Sequence, residues 1–520
     1  MRAIARYILI GAMSLSGLLL AARAALGPLA GPLPVHSPLN AEAIFGVSLT
    51  LLLALATQDC SQPARLRFQP ADFLVLSGLV CLTATAFSRT LAFYFLSDDF
   101  VLLKLARELR PGWLPLFTTG GGDGFYRPLG YVSLAATSIW AGANPALWRA
   151  FGLAIHAANC ILVFCLARRF TGSRWAAFFA AALFAIHGTR PEAVVWIAGR
   201  FDLLATFFVL AGLLLFLRPG GVYRLASLVS MALAMLAKES AYVFPFLLVL
   251  LLAWEGGLSR SRLRPLIPFF ALAAALFVYR WSLFGGIGGY PHAALGFLPA
   301  VKALGMRSWA VLYFPINWSA EPGGLFAGAI AAYIASLGLL AASHPRRRHL
   351  ALAAGFVLLS ALPPLQQLAI GPDLQKSRLL YLPSIGFCLL LAVAVNGLHG
   401  RLRWIAPSIL LLAGVAVLQH NLDAWEYASA KAKPACVAAA QCAGTADKLT
   451  VGPLPGSLRG VYLFQNGFPQ CVELERHGRP LELEFTTQSP QAQWDPATDQ
   501  LKCYSGASKP TTRESDWNLR

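Results

Sequence analysis

Charge is scarce in this chain: Asp, Glu, Lys and Arg make up 13% of 520 residues, against 57% hydrophobic residues. Soluble domains carry about 25% charged residues, so this deficit, with a mean hydropathy of +0.60, excludes water as the main solvent. Acidic residues are scarcest, 24 against 42 Lys and Arg, which leaves a net charge of +18. The basic excess lies in short clusters between apolar stretches, where the positive-inside rule puts it, and not on one continuous face. That distribution argues against nucleic acid as a partner. Paired CxxC knuckles are missing, which argues against a zinc site. So is any clear internal repeat of the kind that builds transporters from two related halves.

What is present in abundance is apolar sequence, in runs of about 17 to 25 residues, the length that crosses about 30 Å of hydrocarbon. Helices are expected near residues 7–27, 41–58, 72–94, 147–167, 174–187, 193–217, 222–237, 241–254, 265–283, 324–342, 349–366, 380–398 and 403–419. The fold class is therefore an all-α polytopic membrane protein of about 13 transmembrane helices. Between alternate helices stand Arg65 and Arg67; Arg168, Arg169 and Arg174; Arg218 and Arg224; Arg260, Arg262 and Arg264; Arg346, Arg347 and Arg348; and Arg401 and Arg403. The positive-inside rule makes these cytoplasmic. A full span at 298–316 breaks that alternation, so this stretch is expected to be interfacial or re-entrant, like the amphipathic stretch that ends near Pro145. The first 27 residues, with Arg2 and Arg6 ahead of the apolar run, read as a retained helix in preference to a signal peptide.

The domain plan is a membrane domain over 1–420 and an extracytoplasmic domain over 421–520. Five of the nine cysteines (Cys60, Cys81, Cys160, Cys165 and Cys388) lie in or beside apolar spans, as small buried hydrophobes do. Cys436, Cys442, Cys471 and Cys503 fall in the polar C-terminal segment, and an even count there indicates two disulfides in an oxidising compartment, with three connectivities open. Alternating runs at Gly460–Phe464 and Leu481–Phe485 indicate a small β-rich domain, and the last dozen residues read as disordered.

Topology gathers polar residues on the extracytoplasmic face: Asp98, Asp99, Asp123, Tyr126 and Arg127, then His187, Arg190, Glu192, Arg200, Asp202, Lys238, Glu239, Lys376 and Arg378. Charge at a membrane boundary is costly unless paired or solvated, so a shared polar pocket is implied. The adjacent carboxylates Asp98 and Asp99 suit a base with a raised pKa, and equally a helix N-cap. Vicinal carboxylates also bind hard cations, which leaves a divalent ion open, but the loop offers no further ligands and no metal site is assigned. Lys238 and Glu239 read either as a boundary ion pair or as a cation that holds an anion. Arg200 and Asp202, inside an apolar stretch, are expected to pair with each other. Arg378 stands at headgroup depth, where a guanidinium grips phosphate bidentately or merely snorkels. His156 and His187 read as packing or hydrogen-bonding groups.

Several pieces in order resemble a known family: Asp98-Asp99; Tyr126-Arg127-Pro128-Leu129; His156 with Asn159; HGTRPEAVVWIAGRFDLLA from His187 to Ala205; LAKES around Lys238-Glu239; and RLLYLPSIGF from Arg378 to Phe387. Over about Phe95 to Leu398 the chain is similar to the class C integral-membrane glycosyltransferases. Within them it resembles most the transmembrane and tetratricopeptide-repeat O-mannosyltransferases and their bacterial relatives. Gly188 stands where that family has Pro, Pro191 where it has Thr, and Ser377 where it has Glu. The repeats are replaced by the cysteine-bearing segment, so acceptor recognition does not carry over.

The resemblance implies transfer of a sugar, hexosyl or mannosyl, from a polyprenyl-phosphate donor to an acceptor hydroxyl, with inversion. It makes Asp98 or Asp99 the base and Arg378 the phosphate-binding cation, seconded by Lys238, Arg127 and Arg200. Tyr126, His187, Glu192, Asp202, Glu239 and Tyr381 are supporting residues. Partners are membrane lipid, the lipid-linked sugar and an acceptor of unassigned class; no cofactor is obligatory. A bacterial source implies an undecaprenyl carrier and an inner-membrane protein whose active site and C-terminus face the periplasm. The rival reading is a transporter or flippase for a lipid-linked or anionic substrate, which requires polar residues at the bilayer midplane.

Overall fold

The computed structural model describes residues 2–27, 38–57, 69–109, 112–119, 124–286, 288–289, 296–320 and 323–504. Cys60, Arg65, Arg67, Asp123 and the last dozen residues lie outside the described residues. Among the described residues, eight helices are long and apolar enough to cross a membrane: Ile4–Leu26, Pro38–Leu55, Pro145–Thr171, Ile197–Phe216, Glu239–Gly256, Arg260–Phe284, Gly324–Ala342 and Leu402–Ala443. Four more apolar helices, Pro70–Ala86, Arg174–Ile186, Gly221–Ala237 and Pro383–Asn396, have 13 to 17 residues, and Arg347–Ala361, which opens on basic residues, has 15. Each expected stretch is thus largely helical, in a multi-pass membrane protein, and eight of these helices, among the described residues, have full spanning length.

Local chemistry sets the helix limits. Pro145–Thr171 opens with Asn144, whose side chain accepts the Ala146 N–H, and with Pro145, whose missing N–H costs nothing there. It closes on Gly172 at φ +67°, the left-handed position that stops a helix. Ser173 then caps Arg174–Ile186. Arg174 reaches back to Asp72 at 2.7 Å and Arg169 to Glu255 at 2.7 Å, so these helix ends share one face. Their opposite ends carry the Asp98 turn and the segment after His187.

Two expected helices are broken. The one placed at 72–94 ends at Ala86 and gives way to a 3-10 turn, Ser88–Ala92, and extended chain. The one placed at 193–217 is split into Arg190–Val194, a turn at Ile197–Gly199 and Arg200–Phe216. Arg200 and Asp202 therefore stand in a first helical turn, not mid-span. The stretch expected to be interfacial or re-entrant is helical from Phe297 to Tyr313, with π pitch over Ala303–Arg307. Its end packs closely on Pro38–Leu55, where a Cβ on Gly46 would lie 2.5 Å from the Tyr313 ring.

Leu402–Ala443 is one helix of 42 residues, about 63 Å long, and the boundary expected at 420 falls inside it. Its middle turns dock on the segment after Ala86: Arg89 bonds Asp423 at 2.7 Å, and the Tyr94 N–H donates to Ser429. The strands that follow are β1 (Lys448–Val451), β2 (Ser457–Leu458), β3 (Val461–Tyr462), β4 (Glu482–Phe485), β5 (Ala492–Asp495) and β6 (Gln500–Cys503). They form a sheet of order β4-β1-β5-β6, parallel except for β5-β6, and a β2-β3 ribbon. Cys436 pairs with Cys471 and Cys442 with Cys503, which pins the short helix Phe468–Glu475 and strand β6 to the long helix. All four thiols are expected to resist alkylation until reduced, and mass spectrometry of unreduced digests should recover these two cross-links; free thiols there would contradict the pairing.

Candidate active site

The chain turns sharply after Phe95. Ser97 holds φ +46°, a conformation that costs a residue with a side chain about 1–3 kcal/mol. It is held by a bond from its N–H to the Leu463 carbonyl at 2.9 Å. The helix Asp98–Glu108 follows, and successive side chains on a helix point about 100° apart, so the adjacent carboxylates diverge.

Asp99 is fully buried and points inward. It accepts the Leu96 N–H at 3.1 Å and the Ile197 N–H at 2.9 Å, with the Arg149 guanidinium 4.0 Å away. Arg149 in turn donates to the Phe93 and Tyr94 carbonyls. Asp99 thus welds the turn to the broken segment at Ile197. Burial pushes its carboxyl up to about 7, against the lowering pull of Arg149 and the two amides. The native state then keeps a proton that the unfolded state has lost, so this group's contribution is full below pH 3.8 and is lost as pH rises to about 7. Asp99→Asn, whose side-chain NH2 meets one of the two N–H groups that Asp99 accepts, is expected to melt below wild type at low pH, and that deficit should shrink as pH rises across the window. Asp99→Ala, which leaves two buried N–H groups without an acceptor, should lose about 2–3 kcal/mol or more at any pH. Melting curves of the two variants at several pH values check both outcomes.

Asp98 is half-buried and lines a cavity of about 630 Å³ together with Arg127, Lys238 and Arg378. Each cation is held by a carboxylate. Arg127 forms a bidentate pair with Glu239 and lies 4.0 Å from the Phe125 ring centroid. Lys238 bonds both oxygens of Asp202 at 2.6 Å. Arg378 bonds Glu192 at 2.8 Å and stacks on Trp196 at 4.4 Å. Glu192 also accepts the N–H groups of Lys376 and Arg378 and the Ser377 hydroxyl. Lys238 and Glu239, read as a boundary pair or as a cation that holds an anion, bond Asp202 and Arg127 instead of each other, and the expected Arg200–Asp202 pair does not form. Arg200 and Asp202, two apart on one helix, do not face each other, and Lys238 stands in extended backbone between two helices, so its side chain and that of Glu239 take separate directions.

The other candidates stand away from the cavity. Arg200 is buried against Trp148 and donates to Thr137 and the Trp148 carbonyl. His187 bonds Thr189 and the Leu312 carbonyl. Tyr126 bonds the Phe117 carbonyl and packs on Tyr279. Tyr381 is buried, with its hydroxyl bonded to His156 and Asn159 and its ring beneath Arg190. Gly188 fits its site only as glycine, since a Cβ would lie 2.3 Å from the Pro315 carbonyl oxygen.

Sequence reasoning missed one wall altogether. Phe464 to Gln470 of the C-terminal domain line the same cavity, and the Asn466 side-chain amide donates to Asp98 at 2.8 Å. The only signal was topological, since the C-terminal segment and the Asp98 loop were expected on one side.

No protein-family model matches the chain. Protein O-mannosyl-transferase TMTC1 of Mus musculus is 29% identical over 157 residues, 28% of this chain and 16% of that protein. TMTC2 of Homo sapiens is 30% identical over 140 residues, 25% of this chain and 17% of that protein. TMTC3 of Mus musculus is 22% identical over 428 residues, 68% of this chain and 46% of that protein. Among solved structures, ArnT from Cupriavidus metallidurans bound to undecaprenyl phosphate aligns over 80% of this chain and 90% of that one, with 18% identity and a TM-score of 0.36. The chain is thus similar, at low identity and over less than half of their length, to the TMTC protein O-mannosyl-transferases.

Proposed function

We propose that the chain is a glycosyltransferase that takes a sugar, mannosyl or another hexosyl, from a polyprenyl-phosphate donor on the extracytoplasmic side and passes it to an acceptor hydroxyl. The observation that carries this reading is the cavity in which one carboxylate, Asp98, shares the walls with three cations. The similarity to O-mannosyl-transferases supports the same choice of reaction.

Each step uses a group that lines the cavity. Asp98 takes the proton of the acceptor hydroxyl as its oxygen attacks the anomeric carbon. The bond from that carbon to the phosphate oxygen breaks, and polyprenyl phosphate leaves with the electron pair. Arg378, with Lys238 and Arg127, stabilises the charge that develops on the phosphate. Attack from the side opposite the phosphate inverts the anomeric centre. Glu192, Asp202 and Glu239 fix the three cations before substrate arrives, so little reorganisation is needed during reaction. The proposal needs no metal ion.

The test is a transfer assay on purified protein in lipid nanodiscs with a panel of radiolabelled polyprenyl-phosphate sugars and extracted membrane acceptors. The expected result is a labelled product and one polyprenyl phosphate released per sugar moved. Intact donor that crosses the bilayer of a proteoliposome without bond cleavage would support the transporter reading instead.

A further inference from the structure

We propose that the C-terminal domain completes the active site: its segment Phe464 to Gln470 is the acceptor-side wall, and Asn466 is the positioning residue for the Asp98 carboxylate. This inference rests on the reading of Asp98 as the base.

Three independent contacts dock that segment on the Asp98 turn. Ser97 donates its N–H to the Leu463 carbonyl at 2.9 Å. Asn466 donates to Asp98 Oδ1 at 2.8 Å. Gly467, at φ +82°, comes so close that a Cβ there would lie 2.3 Å from the Ser97 carbonyl oxygen. The segment is bracketed on one side by packing of Phe464 on Trp494 of β5 and on the other by the Cys436–Cys471 disulfide. It is therefore a fixed wall and not a passing loop.

The charge on the two walls differs. The membrane domain contributes Arg127, Lys238 and Arg378, whereas Phe464 to Gln470 contribute rings and the amides of Gln465, Asn466 and Gln470, with no charged group. A phosphate belongs with the first wall. The second offers hydrogen bonds without a counter-charge, which suits a neutral hydroxyl acceptor and leaves an anionic one unpaired. Asp98 lies between them, and one of its oxygens is fixed by Asn466.

A hydrogen bond donated to one carboxylate oxygen holds the Asp98 side chain in one orientation. The charged groups around Asp98 are Asp99 and Arg149 behind it, the three cations across the cavity, and Glu473, paired with Lys104, on the docked helix. Asn466 is the neutral donor among them, and it is exposed, so its replacement leaves the core intact.

The experiment measures transfer by full-length protein in nanodiscs as a function of donor concentration, together with the melting temperature, for wild type, Asn466→Ala, Asn466→Asp and Asp98→Asn. Asn466→Ala is expected to lower kcat about tenfold, with donor KM within about twofold and an unchanged melting temperature. Asn466→Asp should lose more, because a second carboxylate then faces Asp98. Wild-type kcat in Asn466→Ala, beside an inactive Asp98→Asn, would overturn the inference and spare the base. So would a loss of kcat matched by a lower melting temperature. Full turnover by Asp98→Asn would remove the base and the inference together.

Discussion

Asp98→Asn is expected to lower kcat by about 10²- to 10⁴-fold, the range lost when a general base is removed, while donor KM changes by less than about twofold. The amide keeps the shape of the carboxylate and leaves the cation wall untouched, so binding should survive without proton transfer. The neighbouring substitution must behave differently. Asp99→Asn removes no group from the cavity and is expected to retain most turnover, because Asp99 holds Leu96 and Ile197 and faces Arg149. If the two variants lose activity equally, the division of labour between the carboxylates is wrong. If neither does, the base lies elsewhere.

Arg378→Ala is expected to cost about 10²- to 10³-fold in kcat/KM, as loss of a group that stabilises developing charge does. Two features of its surroundings sharpen this prediction. Glu192 grips the Arg378 guanidinium, its backbone N–H and the two preceding residues, so Glu192→Gln should reproduce part of the loss without touching substrate. The guanidinium carbon lies over the Trp196 ring, 4.4 Å from its centroid, a contact that a lysine ammonium does not match, so Arg378→Lys should recover only part. Steady-state kinetics with varied donor check all three. A kcat/KM for Arg378→Ala within a few-fold of wild type would assign this arginine to lipid headgroups or to packing.

The membrane architecture was legible because a helix in hydrocarbon must satisfy its own backbone and carry an apolar surface, and both requirements write long uniform runs. The same uniformity hid the breaks. Nothing in the apolar letters after Ala193 marks the turn at Ile197–Gly199, which frees a backbone N–H for Asp99. Disulfide content was legible from the polar company of Cys436, Cys442, Cys471 and Cys503, but their pairing depends on the long helix Leu402–Ala443 and was not. Local order in sequence also misled on charge pairing. Lys238 and Glu239 are neighbours in the chain, yet they bond Asp202 and Arg127, which different helices bring into reach. Contacts between remote segments, above all Asn466 with Asp98 at a separation of 368 residues, leave no periodic trace in sequence.

The most direct test of the account is a cryo-electron microscopy structure of the protein in nanodiscs with undecaprenyl phosphate. The phosphate is expected inside the cavity that Asp98 lines, against Arg378, with the lipid tail leaving between helices into the bilayer. A phosphate bound at mid-membrane depth between helices, or on the opposite face near Arg168 and Arg174, would contradict it.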